Sequence, residues 1–199
     1  MASQQLWNAN IHYHSLLIDA VPPGARRVLD VGCGDGILAA RLARTGVRHV
    51  VGLDVDGAVL DRARARNIGI TVEWRQADVF DVPFEAGSFD AVVSVATLHH
   101  MDPEKGLARF ADLVKPGGVV AVVGLAANNW WDLPYALVSH SARLALGFAR
   151  GHWDHSASTV WPPPATYREM KGIARRVLPG VCYRRHLLGR YSLVWTRPV

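Results

Sequence analysis

Val28-Leu29-Asp30-Val31-Gly32-Cys33-Gly34-Asp35-Gly36 is the stretch from which the rest of the chain can be read. Three β-prone apolar residues carry one acid, and glycines then alternate with other residues. This pattern predicts a buried strand running into a tight loop that opens a helix, with Ile37 to Leu42 as the helix's first turns. Glycines at 32, 34 and 36 let the backbone turn sharply and lie against a ligand with no Cβ between them. The ligand is expected to meet backbone N–H groups at the helix N-terminus.

Spacing and charge then separate two kinds of ligand. A dinucleotide fingerprint reads G-x-G-x-x-G. Here the third glycine comes one residue early. Asp30 ends the strand and Asp35 sits in the loop. Two carboxylates would repel a pyrophosphate, whereas they would favour a sulfonium and an ammonium group. Both features point to S-adenosylmethionine (SAM) rather than NAD. From Asp30 onward the loop resembles the first motif of class I SAM-dependent methyltransferases, acid-x-G-x-G-x-G. The resemblance implies that Asp30, Gly32, Cys33, Gly34 and Gly36 form a cofactor cradle, with Cys33 filling a small packing position.

Strand-like and helix-like segments alternate along the chain, the signature of a parallel sheet covered by helices. Strands are expected at Arg27–Val31, His49–Leu53, Thr71–Arg75, Asp90–Ser94 and Val119–Gly124. Helices are expected at Ile37–Thr45, Gly57–Arg66 and Pro103–Val114. Asp102 can cap the last of these, Pro103 suits its first position, and Gly117 and Gly118 follow its end. After Gly124 the pattern changes to a tryptophan-rich segment with an apolar helix near Leu133–Phe148, closed by Pro162 to Pro164. Thr166 and Glu169 form a capping-box pattern opening a further helix. Two β-like runs, Cys182–Leu188 and Tyr191–Thr196, finish the chain, with Gly189-Arg190 expected as a two-residue hairpin turn. The expected fold is one α/β domain over 1–199: a Rossmann-like, doubly wound sheet of seven strands. It is mostly parallel, ends in a C-terminal antiparallel hairpin, and carries an inserted helical acceptor-binding segment at 125–164.

Further motifs support the same resemblance. Asp54 ends an apolar strand ~20 residues beyond the loop, where a carboxylate can accept hydrogen bonds from ribose hydroxyls. The resemblance assigns that role to Asp54 and places Val55 beside adenine; Asp56 reads as the cap of the next helix. It also implies an adenine contact at Asp78, with the backbone of Val79 against the ring. The exit Val95-Ala96-Thr97-Leu98-His99-His100 resembles the Leu-His-His segment of small-molecule enzymes related to the ubiquinone and menaquinone C-methyltransferases, with Val95 at the cofactor. Lys115-Pro116-Gly117-Gly118 before an apolar strand is similar to the same group. Residues 1–22 resemble a helical lid over SAM, with Tyr13 touching the cofactor.

Composition bounds the chemistry. The chain has 199 residues, half of them hydrophobic and a fifth charged, as expected of a globular domain. The first ten residues lack a basic start followed by an apolar run, so no signal peptide is expected. No stretch offers the ~20 uninterrupted apolar residues of a membrane span. Its two cysteines, Cys33 and Cys182, lie far apart, which fits a reducing cytoplasm and gives no zinc pattern, so no metal is expected. The net charge is +5, with arginines concentrated near the C-terminus; this is a solvated basic surface or an attraction for acidic partners.

Methyl transfer from SAM, leaving S-adenosylhomocysteine, needs an in-line acceptor in a dry pocket. His99 and His100 are the leading candidates for a base, followed by His12, Tyr13 and His14. Trp130, Trp131 and Trp161 are expected to line the acceptor pocket, whose occupant would be a small apolar or aromatic metabolite. Two alternatives stay open: a SAM-binding protein without methyl transfer, and an RNA methyltransferase using the arginine surface. The fourth strand lacks the Asn/Asp-Pro-Pro-aromatic pattern of enzymes acting on exocyclic base nitrogens, which ranks nucleic-acid acceptors low.

Overall fold

The computed structural model describes residues 7–150 and 162–199. Seven strands form one sheet: β1 Arg27–Val31, β2 His49–Asp54, β3 Glu73–Gln76, β4 Phe89–Val95, β5 Val114–Gly124, β6 Cys182–His186 and β7 Arg190–Thr196. Their order is β3-β2-β1-β4-β5-β7-β6. The first five run parallel, and β7 pairs antiparallel with both β5 and β6. This is the doubly wound, mostly parallel α/β sheet that the alternating pattern predicts.

Strand periodicity divides the core between two faces. Leu29, Val31, Val92, Val120 and Val122 face one way and pack with residues of α4 (Pro103–Leu113) and α6 (Tyr167–Val177). Val28, Ala91, Val93, Ala121 and Val123 face the other, packing with α1 (His14–Ala20) and α2 (Ile37–Arg44). Both faces are apolar because helices cover both, so these strands read as near-continuous hydrophobic runs. α3 (Gly57–Arg66) follows β2, and Asp56 caps it by accepting hydrogen bonds from Ala58 and Val59, as the sequence predicts. Asp102 caps α4 through the backbones of Glu104 and Lys105, with Pro103 opening the helix.

Three boundaries differ from expectation by more than one residue. β3 starts at Glu73 rather than Thr71, because its pairing with β2 begins at Val51↔Glu73. β5 starts at Val114, directly out of α4. Its register to β4 jumps from Phe89↔Val114 to Ala91↔Val119, so Lys115-Pro116-Gly117-Gly118 bulges within the strand instead of preceding it. The hairpin turn is Leu187-Leu188-Gly189, not Gly189-Arg190, since His186 pairs with Arg190. Leu188 and Gly189 both take left-handed backbone conformations, φ 65° and 67°. A left-handed leucine is costly, and its burial in the core beside α1 and α2 offsets the strain. The shift places Arg190 in the sheet ladder.

The N-terminal segment passes through a short turn, Ile11–Tyr13, into α1. Of the inserted segment, residues 125–150 and 162–164 are described. A single turn at Trp130–Asp132 leads into α5 (Leu133–Arg150).

Candidate active site

A cavity of about 930 Å³ opens at the C-terminal edge of the parallel strands. Its wall is built from the segments that follow β1, β2, β3, β4 and β5, together with residues of the N-terminal segment, α5, Tyr167 and Arg190. Ligands of open α/β sheets bind along this edge.

The glycine loop is bound to its neighbours more tightly than expected. Gly32 and Cys33 donate their N–H groups to the Leu53 carbonyl at 2.8 and 3.0 Å. Gly34 donates to Oδ2 of Asp54 at 2.9 Å. These three N–H groups are therefore committed to the protein, which leaves the expected amide contact to the helix N-terminus that follows them. A Cβ on Gly32 would overlap the Thr97 side chain, and one on Gly36 would overlap the Trp74 ring. Gly36 does not line the cavity; it lets α2 approach the sheet closely.

Asp30 is almost fully buried at the cavity wall, and its Oδ2 has no hydrogen-bond partner. Burial first, and then the charge of Asp54, push its carboxyl up to about 8; a hydrogen bond from the Ala39 backbone opposes the shift. A carboxyl left half-satisfied beside a cavity marks a place for a cationic partner. Asp54 also accepts from the Asp56 N–H at 3.0 Å through Oδ1, so one carboxylate fixes both the loop and the strand exit. Each of its oxygens keeps a lone pair for a ribose hydroxyl. Asp35 is held by Arg62 at 3.1 Å.

Beyond β2 and β3 the wall carries exposed Val55, buried Val79 and Asp78. The Asp78 carboxylate accepts from the Phe80 N–H at 2.9 Å, a local turn that fixes it at the rim. Val95 follows at the end of β4. Next to it Ala96 adopts a left-handed conformation, φ 53°, with its N–H bound to the Val123 carbonyl at 2.8 Å. Strain of this kind, held by the surrounding sheet, turns the exit toward the cavity.

His99 and His100 both line the cavity. His99 is buried, and neither ring nitrogen has a partner. Burial, then His100 and Arg190, lower its pKa to about 4. Burial also lowers that of His100, against the pull of Asp54. His14 lines the cavity too, and burial followed by Arg41 lowers its pKa to about 3. All three imidazoles are thus biased toward the neutral form.

Other candidates lie elsewhere. Tyr13 turns away from the cavity, donates its hydroxyl to the Leu187 carbonyl at 2.6 Å, and packs on His186. His12 is also off the cavity wall and edges onto the Trp7 and Tyr13 rings. Trp130 and Trp131 pack against each other at a tilt, are exposed, and do not line the cavity. Trp161 lies outside the described residues. Residues not singled out from the sequence take the tryptophans' place: Tyr135, Ser139 and Arg143 of α5, Tyr167, Asn10 and Arg190. The Arg185 guanidinium lies 4.0 Å from the centroids of both the Tyr135 and Tyr167 rings, joining α5, α6 and β6 beside the cavity.

The residues present fit SAM. The cradle shows a buried acid, and the amides of Gly32, Cys33, Gly34 and Gly36 are bonded within the protein where a pyrophosphate would need free N–H groups. Asp30 would hold the ammonium, Asp54 the ribose, and Val55, Asp78 and Val79 the adenine.

Comparison with known proteins agrees with this reading. The methyltransferase domain family matches residues 29–122. An uncharacterized methyltransferase of Mycobacterium bovis is 45% identical over 203 aligned positions, covering 98% of this chain and 99% of its own. A ubiquinone biosynthesis O-methyltransferase of Hahella chejuensis is 43% identical over 102 positions, 49% of this chain and 42% of that protein. Among solved structures, a geranyl diphosphate methyltransferase in complex with SAM superposes with a TM-score of 0.65 at 19% identity, covering 94% of this chain and 85% of that one. At 19% identity this last match speaks to the fold, whereas the M. bovis relative matches along nearly the whole sequence; on that footing the chain belongs to the class I SAM-dependent methyltransferases.

Proposed function

We propose that this methyltransferase acts on a small apolar or aromatic metabolite seated between the β4 exit, α5 and Tyr167. One observation carries this reading. The acid-lined cradle and a chamber walled by Leu125, Ala126, Tyr135, Leu137 and Tyr167 form a single cavity, with His99 and His100 on the wall between. A concave pocket of about 930 Å³ suits a small acceptor better than a nucleic-acid strand.

SAM supplies an activated methyl electrophile. The chain's task is to orient, hold and dry the reactants, which can supply ~7–11 kcal/mol. Asp54 and Asp30 hold the cofactor from opposite sides of the loop. Asp54→Ala is expected to weaken SAM at least ~10-fold, since ribose bonds and the Gly34 anchor are lost together. Calorimetric titration checks this; unchanged affinity would remove Asp54 from the site.

His99 offers the acceptor one donor and one acceptor nitrogen. Because its imidazolium is disfavoured above about pH 4, its role is to orient the acceptor through a hydrogen bond rather than to store a proton. His99→Ala is expected to lower kcat/KM about 10-fold at every pH from ~6 to ~8, with no change in profile shape. A profile limb near neutrality that disappears in the variant would instead identify a base. The acceptor class itself is tested by incubating the protein with methyl-labelled SAM and a metabolite extract. Label in a small molecule is expected; label confined to RNA would overturn the reading.

A further inference from the structure

The cavity is charged oppositely at its two ends. Asp30, Asp35, Asp54, Asp56 and Asp78 line the cradle end. The far end holds Arg190 and Arg143, and among the described residues no carboxylate pairs with either. The nearby acid Asp132 is taken by Arg185.

Arg190 is part-buried and bound only by neutral groups. Its Nε and Nη2 donate to Oδ1 of Asn10 at 3.0 and 2.9 Å. Its Nη1 donates to the carbonyls of Leu188 and Gly189, both at 3.2 Å. The second N–H of Nη2 meets no acceptor among the described residues. Burial draws its pKa from 12.5 down to about 10, with Arg143 adding to the effect. A guanidinium fixed by two hairpin carbonyls and an asparagine, and facing a cavity without a counter-ion, is a costly arrangement. A ligand anion would relieve the cost.

Resting on the proposed small-molecule reading, we infer that the acceptor carries an anionic oxygen group, carboxylate or phosphate, which binds at Arg190. The anion takes the open Nη2 N–H and neutralises the guanidinium, while the rest of the acceptor lies along Tyr135 and Tyr167 toward His99. The Asn10 bonds tie the N-terminal segment to the same arginine, so an occupied anion site steadies the cavity's cover.

The test uses the whole protein, methyl-labelled SAM, and a metabolite extract from cells that make it, separated by anion exchange at neutral pH. The label is expected in a retained, anionic product, whose mass distinguishes carboxylate from phosphate. Label in the unretained fraction overturns the inference but leaves small-molecule methylation standing. No label in any small molecule overturns both. Arg190→Met is then expected to raise KM for the labelled acceptor at least tenfold, with kcat changed less and the affinity for S-adenosylhomocysteine unchanged; Arg190→Lys restores part of the loss. If Arg190→Met instead weakens S-adenosylhomocysteine, the anion served is the cofactor's own carboxylate, and the inference fails. Unchanged KM reduces Arg190 to a staple for Asn10 and also overturns it. Should Arg190→Met not fold, Arg190→Lys carries the same comparison of KM with cofactor affinity.

Discussion

Gly34→Arg is expected to abolish SAM binding, by at least ~10³-fold or about 4 kcal/mol, in a protein that still folds. The two halves of this expectation come from different observations. A Cβ built on Gly34 meets nothing within 4 Å, although Gly34 lines the cavity. An arginine there would extend into the cradle without striking the protein, and it would place a cation where the acids favour the cofactor's own. The left-handed backbone at Gly34, φ 53°, costs a non-glycine residue ~1–2 kcal/mol, which a folded domain commonly tolerates. Gly32 and Gly36 cannot serve this test, since a side chain at either overlaps Thr97 or Trp74 and would damage the fold itself. Circular dichroism and calorimetric titration with SAM check the two halves. Retained affinity would remove the loop from the cofactor site.

Asp30→Asn should stabilise the ligand-free protein at pH 8 by ~2–4 kcal/mol while weakening SAM at least ~10-fold. The sign follows from the carboxyl, pushed up from 3.8 to about 8 in the folded protein by burial and by Asp54. Between those values the folded chain holds a proton that the unfolded chain has released. Stability therefore falls as pH rises from about 4 to about 8, and levels off above. His14 and His99 act in the opposite sense, with folded values of about 3 and about 4 against 6.5. They remove stability as pH falls below 6.5. The ligand-free Tm should thus peak at about pH 6.5, and asparagine at position 30 should erase the alkaline decline. Pairing with a cationic ligand would ionise Asp30. SAM uptake at pH 7 is therefore expected to release about one proton in the wild type and none in the variant, as read by titration in buffers of different ionisation enthalpy. A lower Tm at pH 8, or undiminished affinity, would contradict the assignment.

The cradle was legible because local chemistry alone specifies it. A strand ending in an acid, three alternating glycines, and a second acid at the tip of the next strand lie within 25 consecutive residues, Asp30 to Asp54. Parallel strands buried on both faces also announce themselves as apolar runs, and Asp102-Pro103 marks a helix start by capping alone. The acceptor side was not legible, because it is assembled from segments far apart in sequence. Arg190 looks like half of a Gly-Arg turn until the His186↔Arg190 pair moves the turn back and leaves Leu188 buried in a left-handed conformation. Tyr167 is the first residue of a well-capped helix, and nothing local says that it faces a cavity. Trp130 and Trp131 drew attention by size, yet their turn leaves them exposed, and the wall falls to Tyr135 and Ser139, one and two helical turns later. Tyr13 sits in the expected segment but turns to the hairpin, where the Leu187 carbonyl accepts its hydroxyl.

The central claim is that an acid-lined loop, with the amides of Gly32, Cys33, Gly34 and Gly36 bonded within the protein, accepts a cationic nucleoside and refuses a diphosphate. Calorimetric titration of the wild-type protein with SAM and, in parallel, with NADH tests it most directly. One equivalent of SAM should bind, with no heat from NADH; retention of NADH, or no uptake of SAM, would contradict the claim.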